Sequence, residues 1–250
     1  RSIVLDQSGS VFNSHVTMQA GNGSNATFDN ITFVDSADVK LHSSAASAGD
    51  LYINASTDIA VSGNLNITAT TGNITQGATV TVTGTSSFET IATGADIILG
   101  SANALGGAVT LTTAGSGGNV TLDNGTTALI VAQSSVGGDL TLTSGHASGI
   151  TDSGTVTVGG WLRATTDANS GVINLGTLAV DAGIHLNTHG TGNATAVNDA
   201  GFFFGGNGST VGGNLNVTAT TGNMTNNNDG SVTVAGTSSF TTSANNADII

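Results

Sequence analysis

The residues that could support metal chemistry in this chain are few and scattered. His185 and His189 are four positions apart, a spacing that would bring two ligands together on a helix. On a strand the same spacing separates the two side chains by about 13 Å, which is too far for one metal ion. Because His185 stands between Ile184 and Leu186, alternation predicts an outward, solvated imidazole. The sequence therefore predicts no metal site and no cofactor.

Polysaccharide cleavage would need either a basic residue to remove a proton or a set of clustered carboxylates. The only Lys and Arg residues are Arg1, Lys40 and Arg163, against fifteen Asp and a single Glu. No two acidic residues are adjacent, and Asp96 recurs as Asp248 in a repeated phrase, which favours a turn role over catalysis. We therefore expect no enzymatic activity, and a polysaccharide-acting enzyme is the third-ranked function.

Aromatic side chains that could bind a glycan or a protein partner are concentrated in one run. The string GFFFGG occupies 201–206, and alternate residues of a strand face opposite sides. Either Phe203 or the pair Phe202 and Phe204 therefore faces outward. Trp161, which replaces a Thr of a repeated phrase, is the other exception. Two interpretations stay open: a glycan or partner patch of Phe202, Phe203, Phe204 and Trp161, or a small satellite core under a long turn, which is favoured.

Twelve Asn-x-Ser/Thr triplets could accept an N-linked glycan. Part of their number follows from strand alternation, because phrases such as NIT and NVT recur. The candidates for modification in the repeated part of the chain are Asn66, Asn73, Asn119, Asn216 and Asn223.

The elements that must position all these residues are short strands. Apolar residues occupy every second position in segments such as DLYIN (50–54), NLNIT (64–68), TVTVT (79–83), AVTLT (108–112) and DLTLT (139–143). This is the period of a half-buried strand. Turns rich in Gly, Asn and Ser separate the segments, and these residues are poor helix formers. The sequence predicts an all-β protein.

The segments belong to a repeat. NLNITATTGNIT at 64–75 returns as NLNVTATTGNMT at 214–225 with ten of twelve letters unchanged, and DLTLTSG at 139–145 belongs to the same series. Repeat units of about 75 residues therefore occupy 64–138 and 139–213, with a partial unit at 214–250 and irregular, degenerate coils at 1–63. Each full unit divides into three segments, of which the third is the longest: 64–84, 85–107 and 108–138 in the first unit, and 139–160, 161–182 and 183–213 in the second.

Short strands at this spacing, without helix or proline, are typical of a β-solenoid. We predict one continuous right-handed parallel β-helix of about ten coils of roughly 21–31 residues, stacked about 4.8 Å apart. Asn side chains at the turns are expected to form ladders between coils. The residues predicted to point inward are Leu65, Ile67, Leu140, Leu142, Leu215 and Val217.

Composition excludes several kinds of partner. Charged residues are only 8% of the chain, the net charge is −13, and there is no cysteine. Nucleic acids and anionic lipids both attract Lys and Arg, so neither is an expected partner. The sequence has no apolar run long enough to span a bilayer, which predicts no membrane insertion. A disulfide framework is excluded.

The strings VGGDLTLTSG (136–145), VGGNLNVTATTGN (211–223) and GTVTVGG (154–160) resemble the repeat region of filamentous-haemagglutinin-like exoproteins. The resemblance covers the chain from about Asp35 onward. It implies a right-handed parallel β-helix that forms the shaft of an adhesin, secreted by the two-partner route of Gram-negative bacteria. The secretion domain of that family carries an NPNG-type motif, and this chain has no proline.

The sequence thus favours a structural shaft of a large secreted or cell-surface adhesin that serves adhesion, biofilm or extracellular matrix. The partners expected are neighbouring repeats of the same polypeptide and, through other regions, a host or matrix glycan or protein. The alternative function is a carbohydrate-binding β-helix module whose long third coil forms a groove. Because neither end carries a capping element, we expect a fragment of a longer chain with further repeat units of the same length.

Overall fold

The structure is a computed structural model that describes residues 2–7, 16–18, 30–35, 39–42, 50–53, 59–205, 208–226 and 230–250. Within these ranges every regular element is a strand. The predicted fold class is confirmed: the strands are parallel and stack as a β-solenoid of about 8 turns with roughly 22 residues per turn. The degenerate coils predicted for 1–63 lie partly outside the described residues.

Twenty-nine strands follow one another within the described residues. The first ten are β1 (Ile3–Leu5), β2 (Val16–Met18), β3 (Ile31–Asp35), β4 (Val39–His42), β5 (Asp50–Ile53), β6 (Ile59–Val61), β7 (Leu65–Ala69), β8 (Ile74–Gln76), β9 (Val80–Val82) and β10 (Ser86–Thr90). The next ten are β11 (Ile97–Leu99), β12 (Ala104–Leu105), β13 (Val109–Thr113), β14 (Val120–Asp123), β15 (Leu129–Val131), β16 (Ser134–Val136), β17 (Leu140–Ser144), β18 (Ile150–Asp152), β19 (Val156–Val158) and β20 (Trp161–Thr166). The last nine are β21 (Ile173–Val180), β22 (Gly183–Thr188), β23 (Ala194–Asn198), β24 (Phe202–Phe204), β25 (Ser209–Val211), β26 (Leu215–Ala219), β27 (Met224–Asn226), β28 (Val232–Val234) and β29 (Ser238–Thr242).

Two long sheets run along the solenoid. The first sheet has 13 strands and passes through β1, β3, β7, β10, β13, β15, β18, β21, β23, β26 and β29, with β16 and β19 beside this path. The second sheet has 11 strands in the order β2, β5, β4, β8, β11, β14, β17, β20, β22, β25 and β28. The remaining described strands form a three-stranded sheet (β12, β9, β6) and a two-stranded sheet (β24, β27).

The core consists of columns of side chains from successive coils. Ile67 pairs in register with Phe88, and Phe88 pairs with Leu111, so that like residues stack along the axis. Stacking removes apolar surface that one coil could not bury alone. The prediction for the inward residues is confirmed, because all six are at most 1% exposed: Leu65, Ile67, Leu140, Leu142, Leu215 and Val217.

The prediction that 108–138 and 183–213 each form one long coil is wrong. In the first sheet Leu65 pairs with Ser86, Ser86 with Val109 and Val109 with Val131. Each of these steps is close to the solenoid average of roughly 22 residues per turn. The later pairings of this sheet, as far as Ser238, keep nearly the same step. The coil length is therefore almost constant beyond Leu65.

The long third segment of each unit contains one coil and about half of the next. After β13 the chain visits the second sheet as β14, returns to the first sheet as β15 and β16, and enters the second sheet again as β17. The first strand of each successive unit therefore lies in alternate sheets: β7 in the first sheet, β17 in the second and β26 in the first again. One repeat unit is therefore about three and a half coils, and two units are seven.

Asn and Asp side chains at the turns connect the coils, as predicted. The Oδ1 atom of Asn73 accepts the backbone N–H of Asp96, Asp96 accepts that of Asn119, and Asn119 accepts that of Asp139, at 2.7–2.9 Å. Asp139 in turn accepts the N–H of Trp161 at 2.8 Å. Asp96 is therefore a turn residue, in agreement with the repeat argument.

Three buried asparagines at the corners were not found from the sequence. Asn103, Asn124 and Asn198 are at most 2% exposed. The Oδ1 atom of Asn124 accepts the N–H of Leu105 at 2.8 Å, and its Nδ2 donates to the Leu105 carbonyl oxygen at 3.2 Å. Asn198 makes the same pair of bonds with Val180. These side chains satisfy backbone groups where a corner interrupts the pairing between strands.

Candidate functional site

The four residues predicted as a glycan or partner patch divide into two pairs. Phe202 and Phe204 are 1% and 3% exposed and pack in the core, with ring centroids 4.7 Å apart. Phe203 points the other way, is half-buried, and lies with its ring centroid 5.5 Å from that of Trp161. The patch as predicted is therefore wrong for Phe202 and Phe204, because strand alternation buries them both.

Trp161 begins β20 on the outer face of the second sheet. Its register partner on the next strand is Gly183, where an added Cβ would lie 2.3 Å from the indole Cζ3 atom. A Cβ on Gly205 would similarly lie 2.5 Å from Cζ of Phe203 and 3.0 Å from the Trp161 ring. The absence of side chains at these two glycines lets both rings lie against the backbone.

The prediction of a solvated His185 side chain is wrong, because His185 is only 3% exposed. The residue does face away from the core, and the indole ring of Trp161 covers it with centroids 5.0 Å apart. Its Nδ1 donates to the carbonyl oxygen of Gly208 at 3.1 Å, since a carbonyl can only accept. His189 is exposed beyond the end of β22.

An ion pair lies beside Trp161. The Arg163 Nη1 atom donates to Oδ2 of Asp139 at 2.9 Å, while Oδ1 of Asp139 accepts the backbone N–H of Trp161. The guanidinium carbon of Arg163 is 6.0 Å from the centroid of the Trp161 ring. Burial raises the pKa of the Asp139 carboxyl, but the Trp161 N–H and the bond and charge of Arg163 outweigh it, with a smaller contribution from His185. The pKa is lowered overall.

These five residues form one group, the Trp161 cluster: Asp139, Trp161, Arg163, His185 and Phe203. Their equivalents in the preceding unit follow from matching interactions: the N–H of Thr85 donates to Asn64 as that of Trp161 donates to Asp139. The strings AVTLTT (108–113) and GIHLNT (183–188) likewise align, as do LIV (129–131) and FFF (202–204). The equivalent residues, all uncharged and without an aromatic ring, are Asn64, Thr85, Ser87, Thr110 and Ile130.

Sequence reasoning assigned only Trp161 and Phe203 of the Trp161 cluster to a candidate patch, and it predicted a solvated His185. Asp139 and Arg163 belong to segments that look ordinary one at a time. The signal that could have found them is the comparison of the two units position by position, because each member departs from a neutral residue.

In the part of the chain that the structure describes, there is no group of three or more His, Cys, Asp and Glu side chains that could hold a metal ion. No helix there is long and apolar enough to cross a membrane.

The five candidate glycosylation residues lie on the surface in two settings. Asn66 and Asn216 are exposed at the second position of β7 and β26. Asn73, Asn119 and Asn223 are ladder residues whose Oδ1 atoms accept the N–H groups of the next coil. A glycan would attach to Nδ2, so the ladder bond and the modification are compatible, and glycosylation stays a prediction.

A second surface feature lies on the outer face of the first sheet. Where residues 132–133 separate β15 from β16, the wall forms an open groove of about 740 Å³. Its lining carries hydroxyl and amide groups and no charge, from Thr110, Thr112, Gln133, Ser134, Ser135, Thr155 and Thr157. The groove lies where the extra half coil of the first unit begins. Phe203 of the Trp161 cluster lies at the matching place in the second unit.

Comparison with known proteins identifies the repeats. A family model described as repeats of unknown function (DUF5649) matches residues 38–112 and 117–189, two stretches close in length to the repeat unit. No curated protein and no solved structure matches the chain. Because the two matches together cover more than half of the sequence, the chain belongs to the DUF5649 family of repeats.

Proposed function

We propose that this chain is a structural shaft, a stiff segment of a large secreted or cell-surface adhesin. One observation carries the proposal: a single sheet runs without a break from β1 to β29. Each coil contacts only its neighbours, so length can be added without a new core. A rod built in this way is suited to hold a binding region at a distance from a surface.

The connections between coils support a stiff rod. The turn ladder of Asn and Asp adds side-chain bonds to the backbone pairing at each of four successive steps, from Asn73 to Trp161. The buried Asn124 adds bonds at a corner. These bonds link the coils through both the sheets and the turns, so that opening one coil breaks several contacts together.

An extracellular site of action and a Gram-negative type of secretion belong to the same proposal, on the resemblance of the repeat phrases to filamentous-haemagglutinin-like exoproteins. The low charge and the scarcity of Lys and Arg suit a chain that winds coil upon coil after export. With Arg1, Lys40 and Arg163 as the only sites for trypsin-like proteases, the shaft would resist such cleavage. We propose no catalytic activity for it.

Two deletions of equal length test the shaft function in the producing cell. Removal of 65–108 places Val109 in the position of Leu65, and removal of 150–193 places Ala194 in the position of Ile150, so both keep the register of the first sheet. Each removes two whole coils, or about 10 Å of rod. The second deletion also removes Trp161, Arg163 and His185 of the Trp161 cluster, whereas the first retains the whole cluster.

A shaft predicts that the two deletions have the same effect on cell attachment, because they shorten the protein equally. Atomic force microscopy measures the change in length, and a cell-adhesion assay measures the function. If removal of 65–108 leaves attachment intact while removal of 150–193 abolishes it, the carbohydrate-binding alternative replaces the shaft. If neither deletion changes attachment or the distance of the adhesive region from the cell, the shaft proposal fails.

A further inference from the structure

We propose that the Trp161 cluster is a binding site for a neutral glycan, built onto one face of the solenoid by diversification of a repeat. The proposal goes beyond the shaft function and does not depend on it. A shaft with this site would bind a saccharide along its side.

The first argument is the convergence of five departures from the repeat. Equivalent core positions stay buried in both units even where the residue differs: Leu65 matches Leu140, Phe88 matches Ala164, and all four are fully buried. The outward positions of the cluster, in contrast, change from neutral residues to an acid, a base and three rings. These five residues come from three successive coils of the chain, and they meet in one place.

The second argument concerns hydrogen-bonding groups that are in place but not fully used. Arg163 donates to Asp139 through Nη1, and among the described residues Nε and Nη2 have no partner. Each carboxylate oxygen of Asp139 accepts one bond and has a second lone pair. The Arg163 and Asp139 side chains are 36% and 40% exposed. Adjacent donors and acceptors of this kind match the neighbouring hydroxyl groups of a pyranose ring.

The third argument is the aromatic ring beside these groups. Trp161 is half-buried and is held in place by His185, Phe203 and Gly183, so its ordering adds little entropic cost when a ligand binds. An indole presents an apolar surface with large contact area next to polar groups. Sites for small molecules combine an apolar wall with a few oriented polar groups in this way.

The charges of the cluster and of the whole chain favour a neutral ligand. Arg163 is compensated by Asp139 at 2.9 Å, and the whole chain carries a net charge of −13. An anionic glycan would meet long-range repulsion without an uncompensated cation to hold it. The site therefore fits a neutral hexose or a neutral oligosaccharide rather than a uronate or a sialylated glycan.

The chain itself supplies the test variants. Arg163→Ser and Asp139→Asn introduce the residues present at the equivalent positions Ser87 and Asn64, so both should fold. The matched control is Glu89→Thr, which makes the same kind of exchange on the first sheet, where Thr241 is the equivalent residue. Thermal melting of all variants verifies folding.

The experiment titrates the intact chain with neutral oligosaccharides of glucose, galactose and mannose, and with oligogalacturonate and sialyllactose as anionic probes. Binding is followed by emission of Trp161, the single tryptophan, and by protein-observed NMR. The expected result is saturable binding of at least one neutral sugar with shifts at the cluster. Arg163→Ser and Asp139→Asn each weaken the affinity by about tenfold or more, whereas Glu89→Thr leaves it unchanged.

Three results would overturn the proposal: no saturable binding of any neutral sugar, stronger binding of the anionic probes, or binding that persists in the Arg163→Ser, Asp139→Asn double variant. If the first or the third result occurs and Trp161→Thr also lowers the melting temperature, the cluster is a satellite core instead of a binding site. Because point variants leave the length of the rod unchanged, failure here is distinguishable from failure of the shaft proposal.

Discussion

Leu65 and Leu140 occupy the same position of the sequence repeat, yet they lie in different sheets. Leu65 pairs with Ser86 in the first sheet, and Leu140 pairs with Leu162 in the second. A unit of three and a half coils turns the repeat to the other side of the solenoid each time. The repeated phrase that starts at Asn64 therefore returns to the same sheet only at Asn214, after seven coils.

Deletion of one whole coil should be tolerated. Removing 86–108 places Val109 where Ser86 paired with Leu65, so the register of the first sheet is kept. We expect a cooperative thermal transition and a β-rich circular dichroism spectrum. Removing 86–96 instead places β11, a strand of the second sheet, in the first sheet. This half-coil deletion should lose the cooperative transition, and equal melting of the two variants would contradict the coil assignment.

Asn124→Ala should destabilise the chain more than Asn119→Ala. Asn124 is fully buried and bonds both backbone groups of Leu105, so its loss leaves buried partners unsatisfied and should cost about 1–3 kcal/mol. Asn119 is exposed, and water can replace its bond to the N–H of Asp139, so that cost should be below about 1 kcal/mol. Urea unfolding measures both, and equal costs would argue against a structural role for the corner asparagines.

Asp139→Asn should remove a pH-dependent contribution to stability. Because the pKa of Asp139 is lowered in the folded state, its contribution is fully present above the ordinary carboxyl pKa and is lost as the pH falls through the lowered value. The variant keeps the acceptor for the Trp161 N–H. The difference in melting temperature between native and variant chains should thus be small at neutral pH, since the pair is partly exposed. It should vanish at strongly acidic pH, and a difference that grows on acidification would have the wrong sign.

Gly183→Ala should displace the indole ring. The new Cβ would lie 2.3 Å from Trp161, so the ring must move outward, and its emission should shift to longer wavelength as water reaches it. Gly100→Ala is the control, because nothing lies within 4 Å of a Cβ there. The same emission spectrum in both variants would show that Trp161 does not rest on the Gly183 backbone.

The burial of His185 shows the limit of local patterns in the sequence. Alternation between Ile184 and Leu186 correctly places the imidazole on the outer face of its strand. Its burial comes from Trp161 on the preceding coil and from the chain near Gly208 on the following one. Contacts between coils depend on which strands become neighbours, and no local pattern contains this information.

Local alternation and the repeat determined the class of fold, the inward residues and the turn role of Asp96. A period of two residues indicates burial on one face of a strand, and a repeat of short strands indicates coils that need neighbours. The length of a coil was decided only in three dimensions. The sequence shows a long segment at 108–138, but stacked strands must pair with the strand one turn earlier, so the extra residues become half a coil. That half coil sets the sheet in which each unit begins, and it places Arg163 in the second sheet, whereas the equivalent Ser87 lies in the first.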